Sequence, residues 1–180
     1  IVGALYCTGY NSSGQLGLGD ANRRSTFTGV SALDKGVVEI TGSTATFCAR
    51  KDDGSVYCWG YDGHGEVGND SKLASQRLPV RVATAELARD IESNKGYIPG
   101  VGHAGFNCMI TQSSEVYCWG YNAYGQLGNG DLTPRNEGIP VQVKTKDAAG
   151  NLVNLTGVSE LRLGGGSRGY ACAIMSAQTA

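Results

Sequence analysis

Short runs in which apolar and polar residues alternate predict that most of this chain forms β-strands. Around Cys48 the alternation extends over four to six positions, and a second run, Ser55–Trp59, follows the polar segment Asp52–Gly54. Alternation with a period of two, bounded by aspartate and glycine, is typical of strands joined by tight turns. The pattern therefore predicts an all-β protein built from hairpins.

A six-residue pattern recurs three times along the chain. Tyr57–Asp62 reads Tyr-Cys-Trp-Gly-Tyr-Asp, Tyr117–Asn122 ends in asparagine instead, and Tyr6–Asn11 is a third copy in which Thr8 replaces tryptophan. Each copy is followed by a glycine frame and then by an acidic residue. The three frames are Gly14–Gly17, Gly65–Gly68 and Gly125–Gly128. Such self-similarity at a fixed period is the signature of a repeat architecture.

A second pattern precedes the first. Phe47–Ala49 and Asn107–Met109 each place a cysteine ten residues before the cysteine of the motif, and Ala171–Ala173 begins a third such element. A repeat of 51 to 64 residues thus covers the whole chain. The predicted divisions, all within one domain or a segment of it, are a partial repeat over 1–36, repeats over 37–96 and 97–157, and a partial repeat over 158–180.

The first predicted hairpin brings two cysteines together. A three-residue loop that ends in glycine suits a type I turn with a bulge, because glycine adopts positive φ without a Cβ clash. Counting back through Asp52–Gly54 places Cys48 directly opposite Cys58. Opposed residues have Cβ atoms about 4.5–5.5 Å apart, which is close to the spacing of a disulfide. We therefore predict a Cys48–Cys58 disulfide.

The second hairpin repeats this arrangement. Counting through Gln112–Ser114 places Cys108 opposite Cys118, with Ser114 at the strained position that glycine holds in the first hairpin. Structural zinc sites need cysteines two to four residues apart, and the chain has no such pair. Disulfides imply an oxidising compartment, so we expect an extracellular, cell-surface or periplasmic protein. Reduced, buried cysteines are the alternative.

Cys7 and Cys172 fall outside this pairing. Cys7 is a motif cysteine without an upstream partner, and the expected partner of Cys172 falls two residues past the end of the chain. Three explanations fit: the chain is a fragment of a longer array, its ends meet within one molecule, or its ends meet between neighbouring molecules. The fragment is the explanation we favour.

Two segments depart from the strand pattern. In 84–91, Leu87 and Ile91 stand four residues apart among few β-branched residues, which predicts one or two helical turns. The polar stretch from Lys144 to Asn151 predicts a plain loop.

Amino-acid composition excludes some classes of function. The 180 residues include 28 glycines and carry a formal net charge of −1, so no surplus of lysine and arginine favours nucleic acid. The apolar share of 41% is enough for a core, and the longest apolar runs are far shorter than a membrane span. A soluble, turn-rich globular protein remains.

The repeat resembles that of the regulator of chromosome condensation (RCC1) family. Residues 117–131 are a very close match, and Gly102–Cys108 is similar to the histidine-bearing strand that precedes the motif in that family. Residues 39–70 match well, whereas 6–20 and 158–174 each match half a repeat. Cysteine at both hairpin positions is similar to repeats of secreted bacterial members.

The resemblance implies a β-propeller whose blades are four-stranded antiparallel sheets, seven in the complete ring. About three repeats are too few to close that ring, so the chain is expected to form part of a larger one. The sequence also departs from the family at Thr8, and at Ser43 or Thr44, where the second repeat lacks the histidine.

Motifs that suggest catalysis are better explained as turns. Gly165–Gly169 fits the nucleophile elbow Gly-x-Ser-x-Gly, but no histidine follows His103. Gly63–Gly68 fits Gly-x-Gly-x-x-Gly, but its Gly65 and Gly68 recur as turn positions in every copy. His64 and His103 stand at different places in the repeat, and we assign them to the surface or to strand packing. We expect no catalytic residue, no metal site and no cofactor.

Tyrosines suggest a binding surface. Tyr10, Tyr61 and Tyr121 repeat so faithfully that we expect them to pack between blades. Tyr124 departs from Ser13 and His64 at the equivalent position, so it is the better candidate for binding a partner. The candidate binding residues are Tyr124, Asn122, Arg135 and His64.

These observations predict a non-enzymatic, extracellular or cell-surface scaffold that binds a protein, or another partner on a cell surface, through propeller loops. A second reading is a structural subunit joined head to tail, with Cys172 of one chain bonded to Cys7 of the next, as a filament or homo-oligomer. From the resemblance, a third reading is a guanine nucleotide exchange factor or an enzyme inhibitor. The cysteines argue against the exchange factor.

Overall fold

Sixteen short strands and one 3-10 turn make up the fold of the residues that the structure describes. The structure is a computed structural model that describes residues 2–71, 73–100, 102–132, 137–165 and 168–176. The 3-10 turn spans Ser31–Leu33. In chain order the strands are β1 Tyr6–Gly9, β2 Arg24–Gly29, β3 Val37–Gly42, β4 Thr46–Lys51, β5 Val56–Tyr61, β6 Ser75–Arg81, β7 Ala88–Ser93, β8 Tyr97–Ile98, β9 Gly102–His103, β10 Phe106–Thr111, β11 Val116–Gly120, β12 Glu137–Gln142, β13 Lys144–Lys146, β14 Leu152–Asn154, β15 Val158–Gly164 and β16 Tyr170–Met175.

Two four-stranded antiparallel sheets form the centre of the molecule. The first sheet, here blade A, has the order β3-β4-β5-β6, and the second, blade B, has the order β7-β10-β11-β12. The hairpin β1-β2 precedes blade A, and the hairpin β15-β16 follows blade B. β7 lies before residue 97, where the sequence repeat was divided, and nevertheless pairs with β10. The predicted all-β fold of four-stranded antiparallel sheets is confirmed.

Both predicted hairpins have the expected register. Cys48 lies opposite Cys58 and Cys108 opposite Cys118, and each pair forms a disulfide with Cα atoms 4.1 Å apart. Ser114 takes a φ of 63°, so it occupies the left-handed position that glycine holds in the first hairpin. A local count of loop residues was therefore enough to place both disulfides.

The hydrophobic core lies between successive sheets. One cluster joins Val67 and Val82, next to blade A, to Ile91, Met109 and Trp119 of blade B. A second cluster packs blade B against β15, and a third packs blade A against the first hairpin. Each sheet thus buries its faces against its neighbours, as expected for repeats that cannot cover a core alone.

The motif tryptophans join each blade to the loop of the preceding repeat. The Trp119 indole N–H donates to the backbone carbonyl of Glu66, and that of Trp59 donates to Gln15, both at 2.9 Å. A Cβ at Gly68 would lie only 2.7 Å from the Trp119 ring, and Gly68 has a φ of 76°. The last glycine of the frame is therefore needed so that the next blade's tryptophan can lie against the backbone.

The predicted helix over 84–91 is wrong. Ala88 begins β7, whose Ile91 lies opposite Met109 of β10. A bulge at Arg89 places Ala88 and Ile91, three residues apart, on the buried side. Leu87, whose spacing from Ile91 predicted the helix, is exposed and precedes β7, so pairing with β10 outweighs the local preference.

The predicted plain loop from Lys144 to Asn151 is also wrong, because it contains a strand and most of a hairpin turn. β13 and β14 pair antiparallel, with Lys146 opposite Leu152. The Asp147 carboxylate accepts hydrogen bonds from the backbone N–H groups of Ala149 and Asn151, at 2.9 and 2.8 Å. A polar hairpin that lies away from the core carries little hydrophobic alternation, so periodicity missed it.

Candidate functional site

The loop after each motif strand is folded by the same first hydrogen bond. The last residue of the motif accepts from a backbone N–H five residues later: Asn11 from Leu16 at 2.9 Å, Asp62 from Val67 at 3.0 Å, and Asn122 from Leu127 at 3.0 Å. Asparagine and aspartate suit this position because both offer a side-chain oxygen at the right reach. The repeated motif thus sets the loop conformation.

A second side chain braces the tip of each loop. The second residue of each glycine frame accepts from the backbone N–H two residues earlier: Gln15 from Ser13, Glu66 from His64, and Gln126 from Tyr124, at 2.9, 2.8 and 2.9 Å. The middle loop uses a carboxyl group where the other two loops use an amide. The residues at the braced position, His64 and Tyr124, are two of the predicted binding residues.

Aromatic rings form a continuous row over the ends of blades A and B. We name this set the aromatic row; its members, in spatial order, are Tyr97, His103, Tyr61, His64, Tyr121 and Tyr124. Neighbouring ring centroids are 4.9 to 6.3 Å apart, with tilted or edge-on geometry. Aromatic pairs favour these separations and orientations. The row therefore fixes rings from two blades and from the β8-β9 hairpin in one surface.

A cation lies at one end of the row. The guanidinium carbon of Arg168, from the turn before β16, is 5.8 Å from the centre of the Tyr124 ring. This is within the range of a cation–π contact. The row thus carries a positive group beside the exposed ring of Tyr124.

An open groove runs beside the row between the two blades. Its volume is 580 Å³, and its lining includes His64, Asp70, Leu73, Glu137 and Ile139. The groove combines acidic and apolar side chains in a concave surface, which is the kind of surface that accepts part of a partner molecule.

Burial affects the titration of the rings at the centre of the row. It lowers the pKa of the His64 imidazole, although a hydrogen bond to the His103 backbone offsets part of this effect, so the neutral form of His64 is favoured at pH 7. Burial also raises the pKa of the Tyr61 phenol, and the charge of Glu66 adds to this effect. The central rings therefore present neutral faces to a partner.

The structure separates the four predicted binding residues. Tyr124 is 53% exposed and His64 is half-buried, and both belong to the aromatic row. Asn122 is fully buried, so its expected contact with a partner is wrong: its side chain holds the loop instead. Arg135 lies outside the described residues.

The three repeated tyrosines also differ. Tyr121 is 8% exposed and Tyr61 is half-buried, as expected for packing between blades, but Tyr10 is 71% exposed. Tyr61 packs against His103, whereas Thr44 stands near the equivalent place beside Tyr10 and offers no ring. The expected packing between blades is therefore wrong for Tyr10.

Sequence reasoning missed Tyr97, His103 and Arg168 as members of this site. The two histidines stand at different repeat positions, yet both contact Tyr61. The available signal was the insertion before Cys108, which is long enough for the extra β8-β9 hairpin. Nothing in the sequence indicates that this hairpin folds over the loop of blade A.

Among the described residues, no group of three histidine, cysteine, aspartate or glutamate side chains is placed to hold a metal ion. Within the same ranges, no helix is long and apolar enough to cross a membrane. Gly165 and Gly169 lie in the turn between the paired strands β15 and β16, and Ser167 between them is outside the described residues.

The repeated loops and four-stranded sheets define a segment of a β-propeller. Residues 53–92 and 113–154 match the repeat described as "Regulator of chromosome condensation (RCC1) repeat", and residues 37–66 match a second profile with the same description. The chain belongs to the RCC1 repeat family.

Relatives from distant organisms share these repeats. The Ultraviolet-B receptor UVR8 of Arabidopsis thaliana is 29% identical over 148 residues, which are 82% of this chain and 32% of UVR8. The human E3 ubiquitin-protein ligase HERC2 is 30% identical over 132 residues, which are 72% of this chain and 3% of HERC2. The chain thus spans about a third or less of the length of these two relatives.

A solved structure shares the fold. The crystal structure of Prp20p from Saccharomyces cerevisiae superposes with a TM-score of 0.72 at 16% identity, covering 97% of this chain and 40% of Prp20p. Prp20p is described as having binding properties to Gsp1p and histones. The likeness places all described sheets of this chain in a propeller arrangement.

Proposed function

We propose that this chain is a non-enzymatic scaffold which binds a protein partner through the aromatic row. The observation that carries the proposal is the row itself, because it brings six rings from three loop regions into one surface beside an open groove. Rigid aromatic side chains offer large contact area at a low entropic cost. The binding of Prp20p to other proteins supports a recognition role for a propeller of this kind.

We further propose that the protein acts outside the cytoplasm, in the extracellular space, at a cell surface or in a periplasm. The two disulfides support this location, because cytosolic thiols are kept reduced. The same argument disfavours an intracellular exchange factor. Alkylation of the native, unreduced protein tests it: only Cys7 and Cys172 should react, and reaction at all six cysteines would overturn the proposal.

Site-specific photo-crosslinking tests the binding face. A photoreactive residue at position 124 should capture a protein from an extract of the source cells' surface, and His64→Ala should reduce that capture at least tenfold. Tyr10, which is more exposed than Tyr124 but lies outside the row, is the matched control position. Equal capture from positions 10 and 124 would contradict the proposal.

Edge strands favour a second candidate, head-to-tail assembly. Cys172 lies on the exposed strand β16 and Cys7 on β1, and neither strand has a partner on its other edge among the described residues. β16 corresponds to β4 and β10, whereas β1 corresponds to β5 and β11, so an added β1 strand would place Cys7 opposite Cys172. A disulfide-linked ladder on a non-reducing gel, lost in Cys7→Ser, is the expected result. A single monomer band would exclude covalent assembly.

A further inference from the structure

The loops after the three motif strands differ in one chemical respect. Each contains two buried polar side chains four residues apart. The pairs are Asn11 with Gln15, Asp62 with Glu66, and Asn122 with Gln126. The middle loop thus has two carboxyl groups where both other loops have two amides, although the hydrogen bonds that fold the loops are the same. Only the middle loop can gain or lose a proton at these positions.

Glu66 is the more deeply buried of the two acids. Its side chain is 1% exposed, and that of Asp62 is 4% exposed. Glu66 Oε2 accepts from the His64 N–H, whereas Oε1 has no well-formed hydrogen bond to any residue that the structure describes. A buried carboxylate oxygen without a donor is costly when charged and much less so when protonated.

Packed elements on every side determine the charge state of Glu66. The titratable groups that face it are Asp62, Tyr61 and His64 from its own loop and, beyond His64, His103 from β9. The turn after β3 contributes Ser43, β10 and the residue before it contribute Asn107 and Gly105, and β11 contributes Trp119.

Burial is the largest influence on Glu66. Burial, together with the negative charge of Asp62 and against the lowering effect of the backbone amides of His64, Glu66 and Gly105, raises the pKa of this carboxyl to about 8. Glu66 therefore carries its proton at pH 7, when it resembles the amides of Gln15 and Gln126.

We propose that Asp62 and Glu66 form a proton-binding pair that holds the middle loop, and with it His64 of the aromatic row, in place only while Glu66 is protonated. Loss of the proton leaves two negative charges in one buried loop. Water must then reach Glu66, which requires the 62–66 segment to move away from Trp119 and Gly105. His64 is the braced residue of that segment, so the row opens between Tyr61 and Tyr121.

Because this proton-binding pair positions His64, partner binding at the proposed face is expected to weaken at alkaline pH. This consequence rests on the proposed function, but the proton site itself does not. Asp62 and Glu66 act as positioning residues: they do not contact a partner, and they set the place of a side chain that does.

The chain has only two histidines, so proton NMR of their ring signals can detect the loss of the Glu66 proton through its effect on His64. The ring signals of His64 and His103 are recorded between about pH 6 and about pH 9.5, in a Cys7→Ser/Cys172→Ser background that removes the two free thiols. Besides any change from the imidazoles themselves, we expect a second step near pH 8 that is larger for His64 than for His103.

Three variants separate the proton site from general effects of charge. Glu66→Gln should abolish the second step, and Asp62→Asn should move it to lower pH. Gln126→Glu adds a carboxyl at the equivalent place in the next loop and should produce a new step at Tyr124 signals. A second step that persists in Glu66→Gln, or that is absent from the parent chain, would overturn the proposal.

Crosslinking at position 124, performed at pH 7 and at about pH 9, tests whether the protonation of Glu66 controls partner binding. Capture that falls at high pH in the parent chain but not in Glu66→Gln supports both proposals. A normal NMR step without any capture would leave the proton site standing and contradict the binding face. Capture that is independent of pH together with a normal step would show that the proton-binding pair does not control binding.

Discussion

Blades A and B place their cysteines, tryptophans and hairpin tips in the same register. In both blades, the first residue of the next sheet donates to the carbonyl at the tip of the hairpin: Ala88 to Gly54 at 2.9 Å, and Val158 to Ser114 at 3.1 Å. Both motif tryptophans donate to the loop of the preceding repeat. The scaffold of a blade is therefore encoded by local motifs that tolerate much variation around them.

The two blades differ in the side chains of the loops that follow their motif strands. The loop of blade A holds two buried acids and a histidine, whereas that of blade B holds two amides and an exposed tyrosine. The β8-β9 hairpin, which lies between the first two strands of blade B, covers the loop of blade A with His103. Positions next to the repeated motif, rather than the motif itself, therefore give each blade its own chemistry.

The acid at position 66 should produce the largest difference between the blades. An acid whose folded-state pKa is raised from 4.5 to about 8 adds stability that is fully present below pH 4.5 and lost as the pH rises to 8. The full loss is about 5 kcal/mol at 1.36 kcal/mol per unit. Glu66→Gln should therefore be more stable than the parent above pH 8, with a smaller difference at lower pH. Urea unfolding across this range measures the difference.

The mirror variant Gln126→Glu is the control for that prediction. It should introduce into blade B the loss of stability that Glu66→Gln removes from blade A. Other shifted groups, such as Glu39 and Asp20, are common to all chains, so they cancel in the comparison. Parallel stability curves for parent and Glu66→Gln would contradict a buried, protonated Glu66.

Removal of a motif tryptophan should have the next largest effect. Trp119→Ala should lower the free energy of unfolding by about 4 kcal/mol, because it leaves a cavity between two complete blades and removes one of the two hydrogen-bond donors to the Glu66 carbonyl. Trp59→Ala should cost less, since Trp59 packs against a two-stranded hairpin on one side. Denaturant unfolding compares the two variants. Trp59→Phe, which keeps an aromatic ring but loses the indole N–H, should cost only about 1 kcal/mol. An equal or larger cost for Trp59→Ala would contradict this ranking.

The disulfides should contribute equally in the two blades. Each closes a loop of the same length in the same register, so Cys48→Ala/Cys58→Ala and Cys108→Ala/Cys118→Ala should each cost about 2–3 kcal/mol. Unfolding of both double variants under non-reducing conditions tests this. A clear inequality would mean that packing around the sulfur atoms, rather than the length of the closed loop, determines their value.

Much of the fold follows from local sequence. The hairpins, both disulfides and the turn at Ser114 depend on residue counts of three to ten positions, so local periodicity is enough to predict them. β7 does not follow in this way: the spacing of Leu87 and Ile91 predicted a helix, and only pairing with β10 explains the strand. Long-range pairing is invisible to a period measured along one segment.

The candidate site was predictable only in part. Tyr124 and His64 stand out because they differ from their equivalents in other repeats. The burial of Asn122 and the packing of His103 on Tyr61 depend on how loops from different repeats meet in space. The acidic pair was visible in the sequence at Asp62 and Glu66, but its significance requires knowledge that both side chains are buried.

The hairpin tips provide the smallest expected difference between the blades. Ser114 has a φ of 63° and Gly54 a φ of 83°, and a non-glycine residue in this region costs about 1 kcal/mol. Ser114→Gly should therefore stabilise the chain by at most about 0.5 kcal/mol, since the added freedom of the unfolded chain offsets part of the gain. Gly54→Ser should cost more than that, because its Cβ would lie 3.0 Å from Leu87 Cβ and 3.1 Å from the Ala88 carbonyl oxygen. Chemical denaturation of both variants measures the asymmetry, and equal and opposite effects would mean that backbone strain alone distinguishes the two tips.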